Sequence, residues 1–266
     1  MSGAPSELSQ AIPPDTGRWH LKGRLPSHWT RIDLQPRDLK LLRLLLEQKF
    51  LSHEQIVRSV FGGRERYTYL RVWKLRRFGF VSQVWVAYMK EGLFLATEQA
   101  FDYFRAQFVA LPPPLGYPDA RTISHDLLVS DIRFLFEELG FGTRWTSERM
   151  WRMGKSARLW APDAIIHVGG DPFALEVERI QKMDARYEDI FLRYEEDSSI
   201  SACLYVTTEE LLETLLPKAE ECRRIYFTTV GELFEKRAKA AFRNSRGHFL
   251  VIEENLEETL QKEPSG

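Results

Sequence analysis

The stretch Trp160-Ala-Pro-Asp-Ala-Ile-Ile-His-Val-Gly-Gly-Asp-Pro-Phe-Ala-Leu-Glu-Val-Glu178 decides how the fold is read. Two alternating apolar runs, residues 161–168 and 173–177, flank Gly169-Gly170-Asp171-Pro172. The glycines accept positive φ and the proline interrupts a ladder, so the stretch reads as a tight β-hairpin. Strand side chains alternate faces, which places Asp163 with Ile165 and His167, and Glu176 with Glu178. Three carboxylates on one side of a sheet repel unless a positive charge lies among them, and a hard divalent cation with oxygen ligands is one answer.

Working outward, Ser124 is positioned to cap a helix over residues 125–139 that Gly140 closes, and residues 141–148 are strand-like. Beyond the hairpin, residues 180–196 read as a long helix with Ile180, Met183, Tyr187, Ile190, Phe191 and Tyr194 on one side. Residues 202–206 form a short apolar run suited to a strand buried on both faces. The order is therefore α-β-β-β-α-β. Two further units follow, a helix at 209–222 with a strand at 224–228, and a helix at 231–242 with a strand at 249–252. The acidic tail, residues 253–266, is expected to fray.

The N-terminal part has a different rhythm. Pro36 opens a leucine-rich helix over residues 36–49, and Ser52 with Gln55 forms a capping box for a second helix ending at Gly62-Gly63. A third helix runs from Arg64 to Phe78 with Thr68, Val72, Leu75 and Phe78 inward. A hairpin follows, turning at Lys90-Glu91-Gly92, and Thr97 caps a short helix. The proline-rich residues 111–118 make a stiff, extended connection. The expected organisation is an arm (1–32, with Trp19 and Trp29), an N-terminal domain (33–110), a linker (111–120), a second domain (121–252) and the tail.

Charge separates the same two parts. The net charge of the 266 residues is −1, but residues 1–110 hold 17 Lys and Arg against 10 Asp and Glu, and the remainder 20 against 28. A polyanion partner suits the first part and not the second. The two cysteines, Cys203 and Cys222, have no zinc-site or disulfide spacing, and Cys203 is expected in the core. No long apolar span and no signal peptide is apparent, which makes the expected setting cytoplasmic, without a membrane. The phosphate-binding, dinucleotide and Ser-His-Asp patterns of common enzymes are absent.

Three helices and a two-stranded hairpin resemble a winged helix-turn-helix. The resemblance implies that the third helix enters the DNA major groove and the hairpin touches its backbone, with Arg64, Arg66, Tyr69, Arg71, Lys74 and Lys90 facing double-stranded DNA. A solvated basic face, or a winged helix used for protein contacts, is the competing reading. Pro162-Asp163 followed by Glu176-Val177-Glu178 within the α-β-β-β-α-β order resembles the PD-(D/E)xK nucleases. That resemblance implies Asp163 and Glu176 as ligands of Mg2+ or Mn2+, with Glu148 as an added ligand. It also exposes a departure, because Glu178 stands where the family has its lysine, whose role Lys182 or a second metal would have to take.

The combination with His125, Trp145, Glu148, Leu175, Lys182 and Tyr194 is similar to the replication-relaxation family of plasmid, phage and integrative-element proteins. The expected fold is α/β (α+β overall), a winged helix followed by a PD-(D/E)xK-like core with extra αβ units. The expected function is a DNA-binding replication or transcription factor, with a homodimer and replication or mobilisation proteins as further partners. The alternative is a metal-dependent endonuclease using Asp163, Glu176, Glu178 and Lys182. The bland reading of those carboxylates is a solvated strand face paired with Arg179, Lys182 or Arg186, with His125 a mere helix-start residue and His167 a surface strand residue.

Overall fold

The computed structural model describes residues 31–86, 92–142, 144–155 and 160–255. The arm as far as residue 30, Lys90 in the turn at 90–92, and the tail from 256 onward therefore lie outside the described residues. The described residues from 34 onward form one compact unit. Ahead of it, Arg31 and Asp33 make an ion pair at 3.4 Å.

In the N-terminal half, Pro36 begins α1 (Pro36–Glu47). The Asp38 carboxylate accepts from the Gln35 N–H at 2.7 Å, satisfying one of the donors a helix start leaves open. After β1 (Leu51–Ser52) the expected Ser52–Gln55 capping box opens α2 (His53–Ser59), and α3 (Glu65–Arg77) follows. Strands β2 (Val81–Val84) and β3 (Leu93–Ala96) complete a three-stranded sheet ordered β1-β3-β2, and Thr97 caps α4 (Glu98–Arg105). Residues 111–118 carry no helix or strand, as their prolines require, and Leu111 is buried.

In the C-terminal half come α5 (Ile123–Leu139), β4 (Arg144–Ser147), α6 (Glu148–Arg152), β5 (Ala164–Val168), β6 (Asp171–Glu178), α7 (Asp184–Glu196) and β7 (Ala202–Thr207). Then follow α8 (Glu209–Lys218), β8 (Ile225–Thr229), α9 (Val230–Lys236), β9 (Ala241–Arg243) and β10 (Phe249–Val251). Among the described residues these strands and helices make a mixed α/β architecture. The larger sheet is ordered β10-β9-β8-β7-β6-β5-β4. Its β4-β5-β6 portion is an antiparallel meander, and α7 and α8 return the chain to parallel strands β7 and β8.

The hairpin forms as read, with a two-residue turn at Gly169 and Gly170, both at positive φ (60° and 96°). Asp171 and Pro172 belong to β6 instead of the turn, opposite Val168 and His167. The sheet is packed on both faces. Ala164, Ile166, Leu175 and Val177 meet Ile132 and Phe136 of α5 on one side. Ile165, Ala174, Cys203 and Tyr205 meet Tyr187, Phe191 and Tyr194 of α7 on the other, so Cys203 is core as expected.

Four local expectations need correction. Helix α5 starts two residues earlier than Ser124 suggested, with Thr122 at its N-cap. Glu148 opens a short helix capped by Ser147, where a strand was expected to continue. Helix α7 starts only at Asp184, leaving Ile180 and Met183 77% and 81% exposed instead of inward. The last helix stops at Lys236, and Phe242 is buried on a strand. In that last case one buried aromatic satisfies helical and strand spacing equally, and pairing with β8 and β10 decides between them.

The two halves are joined by matched charges along α5. Arg133 contacts Glu47 at 2.7 Å, Arg58 contacts Asp131 at 2.5 Å, and the Gln55 amide donates to the Leu127 carbonyl at 2.8 Å. Within the N-terminal half, Asp38 is fully buried and its carboxylate holds Arg71 through two guanidinium nitrogens, one at 2.8 Å. Removing one partner leaves a buried charge uncompensated. Asp38→Ala is expected to cost about 3–5 kcal/mol in urea unfolding. Asp38→Leu with Arg71→Met should recover most of that loss, whereas exposed Arg77→Ala should stay within about 0.5 kcal/mol.

Candidate functional site

Asp163 sits at a bend one residue before β5. The β5–β6 ladder ends at the Ala164–Leu175 pair, which would leave the next inward N–H of β6 without a strand partner. Asp163 fills that gap: its N–H donates to the Leu175 carbonyl at 3.1 Å, and its Oδ2 accepts from the Val177 N–H at 2.8 Å. Its Oδ1 lies 3.0 Å from His125 Nε2 on the first turn of α5. Its carbonyl accepts the Glu148 N–H at 3.0 Å, tying in the start of α6.

Glu176 and Glu178 point toward α7, each with its own partner. Tyr194 donates its hydroxyl to Glu176 Oε1 at 2.6 Å. Burial, followed by the nearby Asp163 charge, raises the Glu176 carboxyl well above the ordinary carboxylate range despite that hydrogen bond. Glu178 forms an ion pair with Lys182, which is held in turn by its backbone N–H donating to the Tyr187 hydroxyl at 2.8 Å. Lys182 thus precedes α7 instead of opening it, and it neutralises the anion that occupies the lysine position of the motif.

The remaining acidic candidate turns toward the N-terminal half. Glu148 meets Arg152 at 2.9 Å and Lys49 at 3.4 Å, and Lys49 also contacts Asp126 at 2.6 Å. Lys49 adopts positive φ (76°), a conformation that costs a lysine about 1 kcal/mol and that glycine usually supplies after a helix. Burial opposes its charge, but Asp126 and Glu148 outweigh burial and raise its pKa. Asp126 is the neighbour of His125, so consecutive residues of α5 hold Lys49 of one half and Asp163 of the other. The hollow between Lys49, Asp126, Glu148 and Asp163 measures about 20 Å3, room for roughly one water. A larger cleft of about 560 Å3 lies between α2 and α5, but its cations are matched by Asp131, Glu137 and Glu138.

These donors do not fit a divalent cation as they stand. Magnesium needs several free oxygens at about 2.0–2.1 Å in near-octahedral array. Here Asp163, Glu176, Glu178 and Glu148 are bound respectively by His125 with Val177, by Tyr194, by Lys182, and by Lys49 with Arg152. Among the described residues no group of three or more His, Cys, Asp or Glu side chains is arranged to hold a metal. Cys203, buried beside this cluster, is pushed to high pKa by burial and then by Glu176, which suppresses its thiolate.

On α3, Arg64 and Arg66 are exposed. Arg71 is turned inward onto Asp38, which corrects the expectation that it faces a ligand. Its partner lies 33 residues away, beyond any local spacing rule. Tyr69 and Lys74 are half-buried, Lys74 with its ammonium over the Phe78 ring at 6.0 Å. Sequence reasoning passed over Lys49, Asp126 and Arg77, and it set His125 aside as a helix-start residue. A lysine at the C-terminal end of α1, where glycine is favoured, was the available signal for Lys49.

Comparison of the chain with protein-family models, with curated proteins and with solved structures returns no match. The site is therefore read from its own chemistry.

The His125 imidazole is disfavoured as a cation by burial, but its hydrogen bond to Asp163 and that carboxylate's charge prevail and raise its pKa. The raised group stabilises the fold fully below the unfolded value of about 6.5 and loses that contribution as pH rises through the folded value. Wild-type thermal stability should therefore fall across this window, and His125→Asn should remove that component. For Glu176, raised in the same sense, the carboxylate becomes costly as pH rises. Glu176→Gln should keep the fold and raise Tm by about 2–4 °C above neutral pH, measured by differential scanning calorimetry.

Proposed function

We propose that this chain binds double-stranded DNA through its N-terminal half, acting as a winged helix, and that its C-terminal half is a PD-(D/E)xK-like core that does not cut. The observation that carries the reading is the distribution of free cations. Among the described residues of 34–110, Arg64, Arg66 and Arg77 have no hydrogen bond or ion pair through their side chains, and all three lie on or at the start of α3. Elsewhere in this half Lys40, Arg43, Lys49 and Arg58 are in ion pairs, and Arg37 lies over the Tyr67 ring at 4.8 Å. Unpaired arginines concentrated on one helix supply phosphate contacts without first breaking an internal pair.

The motif resemblance supports a replication or transcription factor of a plasmid, phage or integrative element. The internal pairing of Asp163, Glu176 and Glu178 argues against the endonuclease reading, because cleavage needs a cation among free carboxylates and a charge to stabilise the developing anion.

The test is fluorescence anisotropy of a labelled duplex over a salt series. Wild type should show a steep salt dependence, and Arg64→Glu with Arg66→Glu should weaken binding to all sequences and lower the salt slope by about 2. Unchanged binding by that variant would remove the reading. Supercoiled plasmid incubated with millimolar Mn2+ should stay intact with wild type and with Asp163→Ala alike; nicking by wild type alone would reinstate the nuclease.

A further inference from the structure

The segment between β6 and α7 is where sequence periodicity and structure disagree most. Ile180 and Met183 have helical spacing with the buried face of α7, yet they are 77% and 81% exposed. Their segment does not drift freely. Lys182, within it, is anchored twice, by its side chain on Glu178 and by its backbone N–H on the Tyr187 hydroxyl at 2.8 Å. The Met183 carbonyl accepts the Arg186 N–H at 3.0 Å, closing the first turn of α7. Two large apolar side chains are thus held outward by a pinned backbone.

The charges around this tip are sorted. Glu178 is matched by Lys182, and Asp184 by Lys218 at 2.8 Å. Within residues 179–186, Arg179 and Arg186 remain exposed and without a side-chain partner among the described residues. An aliphatic tip between two uncompensated arginines is complementary to a polyanion that also offers apolar faces. Stacked bases between phosphates have that combination, and aliphatic wedges flanked by cations enter base steps in this way. The tip extends β6 beyond Glu178, at the end of the sheet where Asp163 meets α5 and where Lys49 joins the two halves.

We propose that the 179–186 segment is a second nucleic-acid contact, in which Ile180 and Met183 insert at an opened or unstacked base step while Arg179 and Arg186 hold the flanking phosphates. This rests on the DNA-binding reading above and adds a structural preference to it: DNA with weakened stacking is favoured over a perfect duplex.

The experiment compares two labelled duplexes of the same length, one fully paired and one with a short unpaired bubble carrying 2-aminopurine, using the full chain. Wild type is expected to bind the bubble about tenfold more tightly, because the cost of unstacking is already met, and to raise 2-aminopurine fluorescence at saturation. Ile180→Ser with Met183→Ser removes little buried surface and should reduce the margin below about twofold, with no fluorescence rise at saturation. Arg64→Glu with Arg66→Glu should weaken both complexes and keep the margin. A margin and fluorescence rise that persist in the serine variant overturn this inference and leave duplex binding standing. Equal wild-type affinity for both duplexes overturns it likewise. No binding of wild type to either DNA overturns both this inference and the function proposed above.

Discussion

The Asp163 carboxylate is the constraint on which the rest of this architecture turns. One oxygen closes the end of the β5–β6 ladder at Val177, and the other reaches His125 at the start of α5. The next residue of α5, Asp126, holds Lys49 of the N-terminal half. Further along the same helix, Asp131 and Arg133 meet Arg58 and Glu47. A single helix therefore fixes the sheet end and the placement of the N-terminal half together. The proline-rich connection lies against this junction, where Arg149 bonds both the Pro113 and the Leu46 carbonyl.

This arrangement answers the electrostatic problem posed by the carboxylates. Buried anions in one neighbourhood are costly unless each is matched or protonated. The fold uses a different solution for each: an imidazole with a raised pKa at Asp163, a tyrosine hydroxyl and a raised carboxyl pKa at Glu176, and an ammonium at Glu178. Glutamate in place of the motif's lysine is thus offset by a lysine four residues later that ties the strand to the approach of α7. The charge is balanced, and each of these carboxylates has a partner within the protein.

Much of the scaffold could be read from sequence where the signal is local. The glycine pair of the hairpin, the Ser52–Gln55 cap, Pro36 at a helix start and the apolar β7 all behave as their residue types dictate. The misses at Arg71 and His125 share one cause, which is that a distant partner overrides a local pattern. Arg71 looked like a solvent-facing cation because Asp38 is remote in sequence. His125 looked like an ordinary helix-start residue because Asp163 lies 38 positions on. Ile180 and Met183 extended the period of α7 into a segment whose anchors, Glu178 and Tyr187, hold it out of the helix. His125, Asp163, Glu176 and Glu178 are brought to one neighbourhood, but their chemistry depends on partners the chain brings from elsewhere.

The central claim is that these carboxylates are satisfied by the protein itself and not by a metal. Thermal unfolding of the full chain in EDTA and in millimolar Mn2+, beside Asp163→Asn, tests it most directly. A cation that binds the folded state well above its dissociation constant raises stability by about 2.7 kcal/mol at a hundredfold excess. Internal pairing predicts the same wild-type Tm in both solutions. A Tm several degrees higher in Mn2+, lost in Asp163→Asn, would contradict it.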